Sequence, residues 1–91
     1  MMSEVHQAIT AHSKKQHALI RTFVELDAKR EAYIEEAVAL CQRGEPFSVH
    51  NINEVTKQIN ELAKNGIVPQ RKYVTIDMVK EYVQKLNGKS L

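Results

Sequence analysis

The sequence predicts an all-α protein: one long N-terminal helix over about 3–43, with two shorter helices over about 48–65 and 75–87 packed against it. Three observations carry this. The stretch from Ser3 to Arg43 contains no Gly and no Pro, the residues least tolerated inside a helix. Its apolar residues recur in steps of four and three, which is the spacing of one helical face. Two later amphipathic stretches each lie between start and stop residues of their own.

Ser3 is placed to cap the first helix, with Glu4 favourable in its first turn. A seam then runs through Val5, Ile9, His12, Gln16, Leu19, Phe23, Leu26, Arg30, Tyr33, Ala37 and Leu40 in a heptad rhythm. Ala8, Ala11, Ala18, Ile20, Ile34, Val38 and Cys41 flank it, so the apolar face is broader than a bare coiled-coil stripe. Lys14, Lys15, Lys29, Glu36 and Arg43 point away. Two polar interruptions break the seam: His12 with Gln16, and Asp27 with Arg30, spaced for an ion pair on one face. Such a helix spans roughly 60 Å, longer than a small domain needs. Its continuity through Ala11–His17 is left open.

Gly44 ends this helix at the position where a left-handed residue is wanted, and Pro46 follows. Ser48 is the expected cap of the second helix, with Phe47 and Ile52 as the hydrophobic pair around it. Ile52, Val55, Ile59 and Leu62 form its buried stripe, and Lys64-Asn65-Gly66 closes it. A connector from Ile67 to Val74 is too long for a tight helical turn. Thr75 caps the third helix, with Val74 and Val79 as its pair. Ile76, Val79, Tyr82 or Val83, and Leu86 are expected inside, and Asn87-Gly88 is the expected stop.

The chain of 91 residues is read as a single helical domain over 1–91 with a thin core. Hydrophobic residues make up 43% and charged residues 26%, a balance that argues against disorder. The core must be aliphatic, because aromatics are scarce and Trp is absent. Net charge is +2, too small to demand an anionic partner. The acids cluster at Glu25, Asp27, Glu31, Glu35 and Glu36, whereas bases lean towards Lys14, Lys15, Arg21 and the C-terminal third. The single cysteine, Cys41, excludes an internal disulfide. With no signal peptide and no long apolar run, a cytoplasmic location without membrane contact is expected.

Candidate chemistry is sparse. His6, His12 and His17 are six and five residues apart, whereas two ligands sharing a helical face need three or four. No metal and no cofactor are expected. Cys41 lies in the last turn of a helix, where the dipole disfavours a thiolate, so it reads as a small apolar residue. No Glu is followed three residues later by His, which excludes the carboxylate-bundle pattern of di-iron proteins. Gly88-Lys89-Ser90 lacks the earlier glycine of a phosphate loop. No catalytic residue is assigned, and an enzyme is not expected. Arg71 and Lys72 are the candidate nucleic-acid contacts. The connector is too long for a helix-turn-helix, and the third helix opens without base-reading side chains, so the sequence argues against that role.

Ser-Glu-Val-His at 3–6, Ala-His-Ser-Lys-Lys-Gln-His at 11–17 and Ile-Asn-Glu-Val-Thr at 52–56 carry a resemblance. So do Asn-Glu-Leu-Ala-Lys-Asn-Gly-Ile-Val-Pro at 60–69 and Tyr73-Val74-Thr75. Together they resemble the short YpbS-like proteins of Bacillus-type bacteria, a family without an assigned function. The resemblance covers nearly the whole chain and rests on packing and capping residues. It implies a cytoplasmic bacterial protein and carries over no catalytic or binding residue.

The two short helices come to about 26 and 20 Å; laid end to end they cover most of the long one, and folded as a hairpin only its C-terminal half, which leaves Val5, Ile9, Leu19 and Phe23 facing water in a monomer. The candidate interface is then Val5, Ile9, His12, Gln16, Leu19 and Phe23. An apolar face left open in this way marks an association surface. The expected occupant is a second copy in a homodimer with antiparallel long helices, the basic early segment of one near the acidic middle of the other. An unknown protein partner is the other possibility. The leading functional reading is a small non-enzymatic module that self-associates or docks a partner, and the alternative is a nucleic-acid-binding accessory protein.

Overall fold

The computed structural model describes the backbone of residues 2–89 and the side chains of residues 15–88. It contains α1 (Met2–Gln42), α2 (His50–Ala63) and α3 (Ile76–Lys89), and no strand occurs among the described residues. α1 is one continuous helix through Ala11–His17. At 1.5 Å per residue it is about 61 Å long, against a longest molecular dimension of 66 Å. A compact chain of this length has a radius of gyration of about 12 Å, whereas this one measures 18.7 Å. The excess comes from α1 running far past the elements that fold against it.

The turns follow local chemistry. α1 ends in a Schellman motif: Gly44 has φ 72°, its N–H donates to the Cys41 carbonyl, and the Glu45 N–H donates to the Leu40 carbonyl. α2 starts at His50, two residues after the expected cap. Val49 takes the N-cap place without a side-chain bond, but the Ser48 hydroxyl still accepts the His50 N–H at 3.0 Å. Thr75 does cap α3, accepting the Met78 N–H at 3.2 Å. Gly66, at φ 76°, lies just past α2, where one-turn bonds tighten the exit. Gly88 does not end α3, which continues to Lys89. Ser3 falls outside the described side chains.

α2 and α3 each pack on α1. Ala37, Ile52, Val74 and Val79 form the buried cluster at their meeting point, with Tyr33, Ile34, Val38, Cys41, Phe47 and Val49 around it. Both hydrophobic pairs, Phe47 with Ile52 and Val74 with Val79, belong to this cluster. Cys41 is half-buried there, as a small apolar residue would be. Ile52, Val55 and Ile59 are buried as the periodicity requires, and Leu62 is half-buried. On α3 the inner stripe is Val79 and Val83 with Leu86 half-buried; Tyr82 and Ile76 are exposed, contrary to the symmetric stripe expected. α3 packs mainly along α1, so a narrow strip of its surface is covered.

The connector explains how α3 returns to α1. Asn53 on α2 donates to the Val74 carbonyl at 2.9 Å and accepts the Val74 N–H at 2.8 Å. Asn60 does the same to Arg71, at 3.0 and 2.8 Å. Each side-chain amide thus imitates a strand neighbour. The geometry matches: seven helical residues advance about 10.5 Å and three extended residues about 10 Å. The connector therefore runs antiparallel to α2, held at two points. From the other side the Arg30 guanidinium donates to the Lys72 carbonyl at 2.8 Å.

Replacing Asn60 by Ala removes both partners of a part-buried backbone unit. The expected loss is about 2 kcal/mol of unfolding free energy, read from urea midpoints, with Asn53→Ala similar. Neither substitution should reduce helix content at low denaturant.

Candidate interaction surface

The seam of α1 is used twice over its length. From Phe23 to Leu40 it is occupied by the chain itself. Arg30 donates from Nε to the Thr56 hydroxyl at 3.0 Å, and that hydroxyl donates to the Ile52 carbonyl at 2.8 Å. Thr56 is wholly buried, and these two bonds make its burial tolerable. Arg71 meets Asp27 through two parallel bonds, Nε to Oδ1 at 3.0 Å and Nη2 to Oδ2 at 3.4 Å. Its guanidinium also lies 5.2 Å from the centre of the Phe23 ring, within reach of a cation–π contact. The hydrogen bond to Asp27 raises the Arg71 pKa above its ordinary value; desolvation opposes this, and the charges of Asp27 and Glu31 add to the rise. Arg71 stays charged at any pH the fold survives.

These contacts correct one expectation and locate one candidate residue. Asp27 and Arg30 share a face but do not pair with each other. Each reaches across to another element, Asp27 to Arg71 and Arg30 to Thr56 and Lys72. And the Arg71 guanidinium, a candidate nucleic-acid contact, is engaged inside the protein. Lys72 is exposed, with its carbonyl held by Arg30.

Toward the N-terminus of Phe23 the picture changes. None of the described residues from Lys15 to Thr22 is buried. Gln16, Leu19 and Phe23 are half-buried, and Ile20 and Val24 are 45% and 56% exposed. Of the other expected interface residues, Val5, Ile9 and His12 lie outside the described side chains. Lys15 and Arg21 stand exposed beside this face. Val24 escaped the sequence reading because it lies off the heptad seam, one position past Phe23.

Hollows also lie elsewhere among the described residues. An open groove of about 420 Å³ lies between α1 and α3, floored by Ile34, Val38 and Leu86 and edged by Glu31, Glu35 and Tyr82. A polar cleft of about 100 Å³ lies by Tyr33, Glu36, Ser48 and Asn51. Neither gathers an acid and a base around one point. Among the described residues no group of three or more His, Cys, Asp and Glu is placed to hold a metal ion, and no helix is long and apolar enough to cross a membrane. The clamp residues Asn53 and Asn60 had a legible signal: Ile-Asn-Glu occurs at 52–54 and again at 59–61, one heptad apart. In each copy the buried Ile is followed by the Asn that grips the connector.

The sequence profile of a family described as "Protein of unknown function (DUF2533)" matches residues 3–85. The chain is 55% identical over 85 residues to the "Uncharacterized protein YpbS" of Bacillus subtilis (strain 168), covering 93% of this chain and 100% of that protein. No solved structure matches. The chain belongs to this family of proteins of unknown function.

Because Asp27 and Arg71 are both only part-buried, their coupling should be modest. A double-mutant cycle with Asp27→Asn and Arg71→Gln is expected to give about 1 kcal/mol, smaller at 1 M salt than at 0.1 M. Thermal unfolding of the four proteins measures it.

Proposed function

We propose that this family member is a small, non-enzymatic cytoplasmic module that works by self-association through the N-terminal half of α1. One observation carries the reading: α2, α3 and the connector fold over the C-terminal half of α1 and leave Leu19 and Ile20 partly or largely uncovered. From Met2 to Thr22, α1 continues for about 30 Å. Helices in water draw most of their stability from packing an apolar face, and this stretch has no Ala-rich composition to compensate. A second copy supplies the missing cover at no cost in new sequence, because a two-fold axis lets one face serve as both halves of the contact. Antiparallel helices also set opposite macrodipole ends side by side.

An accessory role on nucleic acid gains no support from a specific contact. With Arg71 tied to Asp27, the bases left exposed in the connector and α3 include Lys72, Lys80 and Lys85. Binding to duplex DNA that vanishes steeply with salt would revive that role.

Sedimentation equilibrium of the whole chain is expected to show a dimer at micromolar concentration. Leu19→Glu should shift it to monomer while leaving the urea midpoint of the α2–α3 core nearly unchanged. A native protein that stays monomeric up to hundreds of micromolar would defeat the proposal.

A further inference from the structure

We infer that the open groove between α1 and α3 is the seat for a second copy of this chain, filled by the exposed Ile20–Val24 stretch of that copy's α1, and that the exchange is reciprocal. The inference rests on the self-association proposed above and deepens it by naming the two surfaces that meet.

Both surfaces lie on one side of the same helix. At about 100° per residue, Ile20, Val24, Glu31, Ile34 and Val38 fall within roughly 80° of one another around α1. At one end of this face Ile20 and Val24 stand 45% and 56% exposed. At the other end Ile34 and Val38 form the groove floor, with Leu86 and the half-exposed Tyr82 of α3 as one wall. Each end thus offers an apolar surface that the chain itself leaves open. Leu19, half-buried at the border of the face, turns towards the α3 wall of the other copy.

Charge supports the same occupant. The free edge of the groove carries Glu31 and Glu35. Arg21 is exposed on the corresponding flank of the Ile20–Val24 stretch. Arg21 and Glu35 of one chain are about 21 Å apart along α1, too far to pair with each other. Between antiparallel copies they come together twice, because like flanks of two such helices face each other.

Orientation follows from closure. A parallel pair could set Ile20 on Ile34 and Val24 on Val38 only by a two-heptad offset, which leaves one groove and one stretch unfilled and propagates into a filament. The antiparallel pair sets Ile20 on Val38 and Val24 on Ile34 in both directions at once, about a two-fold axis level with Lys29. The spacing permits this, because positions 20, 24, 27, 31, 34 and 38 step by four, three, four, three and four. Sliding by one heptad would put Ile20 on Glu31 and Val24 on Asp27. The central layers are polar: Asp27, held by Arg71 in its own chain, comes level with Glu31 of the other copy. A polar layer of this kind fixes register at some expense of affinity.

Charge reversal tests the pairing. By sedimentation equilibrium of the whole chain, Arg21→Glu and Glu35→Arg should each raise the dissociation constant about tenfold. The double variant should return it to near the native value, a rescue that a structural effect on one chain would not give. Cross-linking in a Cys41→Ser background tests the register. Val24→Cys and Ile34→Cys proteins, each oxidised alone, should stay uncross-linked; equilibrated together first, they should give a disulfide-linked dimer. Ile20→Cys with Val38→Cys repeats the test if either protein folds poorly by circular dichroism. A dimer indifferent to both reversals, with neither mixed pair cross-linking, would overturn this geometry and leave self-association standing. Species that grow beyond a dimer with concentration would mean the offset parallel contact and overturn it as well. A monomer would remove self-association itself, and this seat with it.

Discussion

The position of α3 depends on a strip of extended chain gripped by two asparagine amides. α3 lies along α1 and joins α2 in the shared cluster of Ile52 and Val79, and the connector between them sets how it returns to α1. The return is set by Asn53 and Asn60, whose side chains satisfy both polar groups of Val74 and Arg71. A backbone N–H or C=O buried without a partner is costly. Here two turns of α2 match three residues of connector, so both units are satisfied at once. Val74 is thereby delivered to the cluster with Ala37, Ile52 and Val79.

The same strip divides α1 into two regions with different fates. Its carbonyl at Lys72 and its side chain at Arg71 convert the seam's polar residues, Arg30 and Asp27, into points of attachment. Polar residues in an apolar seam usually weaken it. Here each is answered from another element, and no described buried side-chain nitrogen or oxygen lacks a hydrogen bond. The long helix thus serves as the scaffold for α2, the connector and α3 over its C-terminal part and runs on beyond them, in keeping with the longest molecular dimension of 66 Å.

Much of this was legible in the residues. A Gly- and Pro-free stretch with heptad spacing gave α1, and Gly44 and Thr75 gave its end and the start of α3. The rest was not, for identifiable reasons. Ser48 reads as a cap from its type alone, but whether the first helical turn forms at Val49 or His50 depends on how Phe47 and Val49 are drawn into the core. Tyr82 and Val83 are equally good inner residues by periodicity. Which one turns inward depends on the single surface that α3 has to pack against.

By itself, then, the sequence determined the helices, their stops and the face of α1 that must be covered, because those follow from backbone propensity and spacing within a few turns. Only the tertiary structure decided that Asp27 joins Arg71 and not Arg30, that two Ile-Asn-Glu repeats grip a connector, and where along α1 the chain's own cover ends. Those contacts join residues 11 to 44 positions apart, and a contact across that distance is chosen by which surfaces meet, which local spacing does not encode.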